Sequence, residues 1–327
     1  MLKEFETMNQ KIALITGISG QDGAYLAKSL IASGFTVVGI DRSKSDTNLK
    51  LLQVEGVEIV EADICEEDEM SDIFQKFNPS QIYHLAAISN VGKSWEDPIL
   101  TTKINCIGTL NLLQIQRNHL PHSRLMIAAS GEIFGDNKNH DLSLPFPGFA
   151  PRNPYAVTKL FDFQMGVTYR QAYGLYIANV LLHNHESPLR PESFVTRKIT
   201  STVAKIKLGQ EKKLILGNVH SSRDWGYAGD YVEAMRKSLE VTVANDYLVA
   251  TGITHTVEDF VREAFLSVDI KNWQDYLEID EKLLRPTDQQ VARVEVERTQ
   301  KLLAWKPSVT FSELVGMMVE ADLRQFA

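Results

Sequence analysis

Two short segments of this 327-residue chain carry side chains that could move protons. In AASGEIFG, Glu132 follows an apolar run that is typical of a buried strand. In YAVTK, Tyr155 and Lys159 are four residues apart, so on a helix they share one face. A nearby ammonium lowers the pKa of a phenol from its usual value of about 10, and the phenolate can then accept a proton from an alcohol. Because such pairs are common on amphipathic helices, this pair indicates catalysis only together with another motif.

A glycine-rich turn supplies that second motif. TGISGQDG places Gly17, Gly20 and Gly23 between the apolar run KIALITG and the helical pattern DGAYLAKSLIASG. Glycines at such a turn let the N–H groups of a helix N-terminus approach a pyrophosphate. The spacing therefore predicts a dinucleotide cofactor, NAD or NADP.

The residues after the second apolar run, FTVVGID, bear on which dinucleotide binds. Asp41 ends that run, where a carboxylate can accept the ribose hydroxyls and would repel a 2′-phosphate, which favours NAD. The neighbouring Arg42 and Lys44 could instead hold such a phosphate. Both cofactors stay open at this stage.

Apolar runs and helical patterns alternate through the first half of the chain. VEIVEAD, SQIYHLAA, SRLMIAAS and LYIANVLLHN read as strands, with helices near 66–77, 99–119 and 155–173. This predicts an α/β fold: a doubly wound parallel Rossmann sheet with a smaller, interleaved C-terminal substrate lobe. Ligands of such sheets lie beyond the carboxyl ends of the strands, where Glu132 is expected.

The pattern loosens after about residue 184, apart from helices at 195–208 and in the final TFSELVGMMVEADL. The Rossmann domain is expected to span 1–183, with 224–254 rejoining it. The substrate lobe is expected to comprise 184–223 and 255–327.

Composition restricts the classes of partner. A net charge of −8 argues against nonspecific nucleic-acid binding, and no apolar run reaches the length of a membrane helix. Cys65 and Cys106 have no metal-type spacing, which fits a reducing compartment, and we expect a cytoplasmic protein. His84 lies within an apolar strand, and His183 and His185 lack an acidic partner at ligand spacing, so no metal site is expected.

The order of TGxxGxxG, HLAA, an S-x-E strand end and YxxxK resembles the extended short-chain dehydrogenase/reductase family of nucleotide-sugar enzymes. Within it, the chain is similar nearly end to end to the GDP-mannose 4,6-dehydratases. The segments that resemble those of the family include NPYAVTKL, NHESPLRPESFVTRKI, RDWGYAGDYVEAM and ATGITHTVEDFV.

The resemblance implies a GDP-sugar 4,6-dehydratase that converts GDP-mannose to its 4-keto-6-deoxy product. Tyr155 and Lys159 would serve a transient oxidation at C4, and Glu132 would remove the acidified C5 proton. The C6 hydroxyl would leave as water, and the hydride would return to C6. Ser130 would bond the C4 oxygen. Gly131 stands where the family has a serine or aspartate that assists departure of the hydroxyl.

The resemblance also implies binding residues. For the cofactor they are Gly17, Gly20, Gln21, Asp22, Gly23, Asp41, Arg42, Asp63, Ile64, Leu85, Ala86, Ala87, Tyr155, Lys159 and His185. For the GDP-sugar they are Ser89, Asn179, Arg190, Glu192, Val195, Lys198, Arg223 and Arg285. Among these, Asn179, Lys198, Arg223 and Arg285 would hold the diphosphate.

The chain departs from the family in three places. Leu189 and Pro191 replace an arginine and a glycine in the guanine loop, where Arg190 and Glu192 also lie. Asn90 replaces a histidine, and the arginine-rich loop after the second strand is reduced to DRSKSDTN. In the family, that loop serves NADP binding and tetramer formation. Because it is reduced here, the cofactor can be NADP or NAD, and the assembly that we expect is a homodimer or a homotetramer.

Two alternative functions remain. One is a GDP-sugar 4-epimerase or 4-reductase on the same scaffold, which Gly131 favours. The other is a non-catalytic relative that senses NAD(P), although such a protein would have no need of the acid at Glu132.

Overall fold

The computed structural model describes residues 11–135, 137–143, 148–283, 291 and 293–327. The described strands are β1 (Ile12–Thr16), β2 (Thr36–Asp41), β3 (Glu58–Glu61), β4 (Gln81–His84), β5 (Arg124–Ser130), β6 (Asn139–His140), β7 (Ile177–Leu182), β8 (Asn184–Glu186), β9 (Leu214–Leu216), β10 (Ser222–Tyr227), β11 (Asp246–Val249), β12 (Thr254–Thr256), β13 (Leu277–Ile279) and β14 (Arg293–Val294). The described α-helices are α1 (Gln21–Ala32), α2 (Thr47–Leu51), α3 (Glu67–Phe77), α4 (Val91–Glu96), α5 (Pro98–Thr102), α6 (Gly108–His119), α7 (Pro154–Tyr173), α8 (Val195–Lys207), α9 (Ala228–Ser238), α10 (Val257–Leu266), α11 (Glu297–Leu303) and α12 (Phe311–Phe326).

A seven-stranded sheet in the order β3-β2-β1-β4-β5-β7-β11 forms the centre of the described chain. Every neighbouring pair in it is parallel. Alternate residues of β1 point to opposite faces of the sheet. Ala13 and Ile15 pack with α1 and α9, whereas Leu14 packs with α3 and α6. Burial on both faces explains the continuous apolar runs, and the predicted doubly wound sheet is confirmed.

The strand order reverses direction between β1 and β4. In a doubly wound sheet this switch point opens a crevice at the carboxyl ends of the strands. The glycine turn follows β1, and the HLAA segment runs from the end of β4, so both flank this crevice.

The prediction of one continuous helix near 99–119 is wrong in one respect. A π-helical turn at Lys103–Ile107 separates α5 from α6. Within that turn, the Asn105 side chain bonds the backbone of Ile88 and the hydroxyl of Thr158. The turn therefore ties the segment after β4 to α7.

The second lobe has its own core, formed by α8, α10, α12 and part of β10 and including Ile199, Trp225 and Phe260. β10 pairs with β8 and β12 in a three-stranded sheet. From the segment expected to rejoin the Rossmann domain, β11 lies in the central sheet and α9 packs on α1, but β10 belongs to the smaller sheet. The lobe boundaries stay a prediction. No helix in the described ranges combines the length and apolar character that a membrane span needs.

Candidate active site

A cleft of about 690 Å³ opens at the carboxyl ends of the central strands, between the sheet and the second lobe. Most residues that the sequence nominated line it: Gly17, Gly20, Gln21, Asp22, Gly23, Asp41, Arg42, Asp63, Ile64, Leu85, Ala86, Ala87, Ser89, Ser130, Glu132, Tyr155, Lys159, His185, Arg190, Val195, Lys198 and Arg223.

The glycine turn is built so closely that side chains would not fit. Gly17 has φ +77°, and a Cβ there would lie 2.9 Å from the backbone N of Ala86. A Cβ on Gly23 would lie 2.5 Å from the carbonyl oxygen of Gly17. Gly20 precedes α1 and offers no side chain to cap it, so the helix N-terminus suits an anionic ligand. These features fit the pyrophosphate of a dinucleotide.

The carboxylate of Asp41 is fixed at the end of β2. Its two oxygens accept hydrogen bonds from the backbone N–H groups of Ser19, at 3.2 Å, and of Arg42, at 2.8 Å. The side chain of Arg42 is exposed. The carboxylate is therefore held in place at the cleft, which the exposed Arg42 also lines.

Glu132 lies on a 3₁₀ turn that begins directly after β5. The hydroxyl of Ser130 accepts the N–H of Glu132 at 3.2 Å, which fixes the turn to the strand end. The amide Nδ2 of Asn153 donates to Oε2 of Glu132 at 3.1 Å. Because Asn153 is also the N-cap of α7 and accepts the N–H of Ala156, one residue positions both the acid and the next helix. The sequence analysis missed Asn153, although the Asn-Pro pair before YAVTK marks a helix start.

Tyr155 and Lys159 lie on the first turns of α7 and share one face, as predicted. Burial raises the pKa of the Tyr155 phenol, and Lys159 and a hydrogen bond with Ser130 act in the opposite direction. The backbone N–H of Tyr155 donates to the Ser94 hydroxyl on α4. The Lys159 amine donates to the carbonyl oxygen of Ala128 at 2.9 Å, which holds α7 against β5.

Three cationic side chains face the cleft from the second lobe and its entrance: Arg190, Lys198 and Arg223. Arg190 pairs with the buried Glu186 at 3.0 Å and stacks its guanidinium over the ring of Phe194. A chain of net charge −8 that gathers cations here presents a local site for an anion.

His185 is held by an acid of the cofactor segment. Its Nε2 lies 2.8 Å from Oδ2 of Asp22, and its Nδ1 lies 2.7 Å from the carbonyl oxygen of His183. Burial alone would lower the pKa of His185, but the Asp22 carboxylate outweighs it and raises that pKa. The pair joins α1 to β8 across the cleft.

Gly131 has no side chain, and His183 fills the space that a side chain there would occupy. A Cβ on Gly131 would lie 2.8 Å from Nε2 of His183, so the imidazole occupies that space. His183 in turn contacts Nδ1 of His140 at 3.1 Å. Burial lowers the pKa of His140 to about 4 and that of His183 as well, so both rings are neutral near pH 7.

Two nominated substrate residues do not belong to the cleft. Asn179 is fully buried inside β7, where its amide donates to the carbonyl oxygen of Phe163 and to Asp246. Asn184, just beyond the end of β7, does line the cleft, and the strand end was the signal that could have found it. Glu192 is exposed and lies outside the cleft lining. Arg285 lies outside the described residues.

Comparison with known proteins matches this arrangement. A family model described as GDP-mannose 4,6 dehydratase matches residues 14–318. GDP-mannose 4,6 dehydratase 1 of Arabidopsis thaliana is 41% identical over 96% of this chain and 90% of its own length.

Solved structures show the same fold. A Thermus thermophilus UDP-glucose 4-epimerase in complex with NAD is 26% identical, with a TM-score of 0.82 over 97% of this chain and 100% of its own. A dTDP-glucose 4,6-dehydratase from Bacillus anthracis in complex with NAD is 19% identical, with a TM-score of 0.83 over 97% of each chain.

Proposed function

The chain belongs to the GDP-mannose 4,6-dehydratase family and is a nucleotide-sugar dehydratase that uses a nicotinamide cofactor, and we propose that its cleft residues divide the reaction as follows. A bound nicotinamide cofactor, held by the glycine turn and Asp41, would supply the hydride acceptor for oxidation at C4 and the hydride donor for reduction at C6. Tyr155, as phenolate, accepts the proton of the C4 hydroxyl. Lys159 favours that phenolate by its charge, and Ser130 hydrogen-bonds the C4 oxygen.

Glu132 acts next. A ketone at C4 acidifies the proton on C5, and the carboxylate removes it. The C6 hydroxyl then leaves as water with the proton that Glu132 removed, and C5 takes the proton held by Tyr155 as the hydride returns to C6. The observation that carries this proposal is the Asn153–Glu132 hydrogen bond of 3.1 Å, which holds the acid in the same cleft as Tyr155 and Lys159.

The GDP group of the substrate would bind on the second lobe. Lys198 and Arg223 supply charge for the diphosphate, together with the amide of Asn184. Arg190, held over Phe194 by a guanidinium–ring contact, would face the guanine.

Of the two nicotinamide cofactors, we favour NAD. The fixed carboxylate of Asp41 suits two ribose hydroxyls and repels a 2′-phosphate, whereas Arg42 is exposed.

The assembly that we favour is a homo-oligomer built on an apolar face of the helices after β4. Trp95 on α4, Ile99 on α5 and Val157 on α7 are exposed there, and α5 packs against α7. Exposed apolar side chains on adjoining helices are typical of a surface that another subunit covers.

The experiment is incubation with GDP-mannose, with the product read by mass spectrometry. The proposal predicts loss of one water without added reductant. An unchanged mass with an altered C4 configuration would indicate the epimerase instead. A 4-reductase would leave GDP-mannose unchanged, because it acts on a 4-keto-sugar and needs a reduced cofactor.

Replacing Glu132→Gln separates catalysis from binding. The variant keeps the shape and the Asn153 contact but cannot take a proton, so turnover should fall by about 100-fold or more while GDP-mannose and cofactor binding stay near wild type. Glu320→Gln, at an exposed position on α12, is the matched control and should keep full activity. If Glu132→Gln lost binding together with turnover, the acid would be structural.

A further inference from the structure

A buried ion pair lies within α7 beside the catalytic residues. The amine of Lys159 lies 3.1 Å from Oδ2 of Asp162, and both side chains are buried. A second N–H of the same ammonium goes to the carbonyl oxygen of Ala128 at 2.9 Å. An ammonium has three donors, so these contacts leave one for the cleft that Lys159 lines.

The acid of this pair is isolated from water. Asp162 is 0% exposed, and its Oδ1 has no hydrogen-bond partner among the described residues. Burying a carboxylate so deeply is costly unless it is paired, so Lys159 is what makes the site tolerable. Because burying Asp162 is costly and it lies one turn from the amine of Lys159, we asked what it does for that amine.

The pair contributes little to holding the fold together. Lys159 and Asp162 are three residues apart on the same helix, so their contact joins no two elements. By contrast, the buried contact between Arg197 and Asp322 joins α8 to α12. A within-helix ion pair has a local effect, and here the local feature is the amine.

Two other titratable groups near Lys159, Cys106 and His84, carry no charge near neutral pH. Burial raises the pKa of the Tyr155 phenol and raises that of the Cys106 thiol on the π-helical turn to about 12. Burial also lowers the pKa of His84, on β4, to about 3. Among the groups that act on Lys159 in the described chain, Asp162 is the carboxylate and has the largest charge–charge effect.

Burial by itself would lower the pKa of the Lys159 amine. The Asp162 carboxylate opposes that effect and leaves the pKa above its usual value. Burial raises the pKa of the Asp162 carboxyl, and the charge of Lys159 and the hydroxyl of Thr109, on α6, act in the opposite direction and favour its charged form.

We propose that Asp162 is a positioning residue for the reaction, which fixes the Lys159 ammonium and keeps it charged one turn from Tyr155. This inference rests on the proposed roles of Tyr155 and Lys159. The YxxxK motif alone does not keep the buried amine of Lys159 charged. The carboxylate of Asp162, three residues further along the helix, does so.

The direct test is the titration of Lys159 by NMR in the unliganded protein, with ¹³C-labelled lysine and assignment by Lys159→Arg. In the wild type the amine should stay protonated to the highest pH at which the protein remains folded. In Asp162→Asn, which keeps the side-chain shape, its pKa should fall by at least about one unit, because burial then acts unopposed. Asp162→Ala should show the same fall, whereas Asp162→Glu should restore the wild-type titration.

Activity supplies a second readout. The alkaline limb of the pH profile for hydride transfer, followed by nicotinamide absorbance, should move to lower pH in Asp162→Asn by a similar amount. Asp322→Asn is the matched control: it removes another buried acid paired with a base, so it should lower stability and leave both titrations unchanged.

The outcomes separate this inference from the proposed function. A wild type without dehydratase turnover would refute the function, whatever the titrations show. A Lys159 pKa that is unchanged in Asp162→Asn or Asp162→Ala would overturn the inference alone. So would failure of both variants to fold, because the ion pair would then serve the fold.

Discussion

Asp41 is the residue on which the choice of cofactor depends. Its carboxylate, fixed by two backbone N–H groups, should make NAD bind at least about tenfold more tightly than NADP, because a 2′-phosphate would meet a like charge. Asp41→Asn should remove most of that preference by improving NADP binding. Isothermal titration with each dinucleotide measures both affinities.

Arg42→Ala is the control for the opposite interpretation. If the exposed guanidinium were holding a 2′-phosphate, this variant would lose NADP affinity selectively, and the wild type would prefer NADP from the start. The NAD interpretation expects little change with NAD in Arg42→Ala.

Individual residues show which parts of the site could be predicted from the sequence and which could not. Tyr155, Lys159 and Glu132 could be nominated because their types and spacing carry chemistry. Asn179 was placed wrongly because a strand interior and a strand end look alike in an apolar run. The packing of His183 against Gly131 depends on two segments that are far apart in the chain, and no local pattern contains it.

At the scale of elements, His84 joins two strands to a helix. Its Nδ1 contacts the hydroxyl of Thr16 on β1 at 2.8 Å, and its Nε2 contacts the hydroxyl of Thr109 on α6 at 3.0 Å. Burial lowers its pKa to about 3, so the folded protein keeps this ring neutral while the unfolded chain protonates near pH 6.5.

The sign of the resulting pH dependence follows from those two pKa values. Above about pH 6.5 neither state binds the proton, and the neutral ring costs nothing. As the pH falls from 6.5 towards 3, only the unfolded chain gains the proton, so the free energy of unfolding drops by up to about 1.4 kcal/mol per pH unit. Urea unfolding at pH 7, 6 and 5 should show this decline, to which other buried histidines add.

A pair of variants isolates the share of His84. His84→Asn should lower stability at pH 7 but make the decline below pH 6.5 shallower. His119→Gln removes an exposed histidine and should leave the decline as in the wild type. An identical decline in His84→Asn and the wild type would contradict the assignment.

The elements themselves were largely predictable, for a physical reason. Strands buried on both faces require continuous apolar runs, and the caps of α7 are explicit in Asn153 and Gly174. The π-helical turn at Lys103–Ile107 was not, because its extra residue is stabilised by contacts of Asn105 with Ile88 and Thr158, which lie elsewhere in the chain. The spacing of apolar residues predicts a helix there, but it does not reveal the extra residue of the π-helical turn.

At the scale of the whole molecule, the cleft needs both lobes. The central sheet supplies the glycine turn and Glu132, whereas Lys198 and Arg223 come from segments of the second lobe. The second lobe was predicted because the alternation of strand and helix patterns loosens after about residue 184. The boundary between the lobes stays a prediction, since β10 lies outside the central sheet and β11 lies within it.

Assembly is the remaining question at this scale, and the apolar helical face makes it testable. Ile99 on α5 is 82% exposed beside Trp95 and Leu100, so a glutamate there should place a charge in the centre of a subunit interface. Ile99→Glu should convert the wild-type oligomer to a smaller species in sedimentation velocity. Its thermal stability as a monomer should change little, because the substituted side chain is at the surface.

Val243→Glu provides the comparison for that experiment. Val243 is 74% exposed in the loop between α9 and β11, away from the helices after β4, so its charge should leave the oligomer intact. A stable interface buries about 1,200–2,000 Å² in total, so the wild type should remain associated at micromolar concentration. A monomeric wild type, or equal dissociation by both variants, would mean that this helical face does not join the subunits.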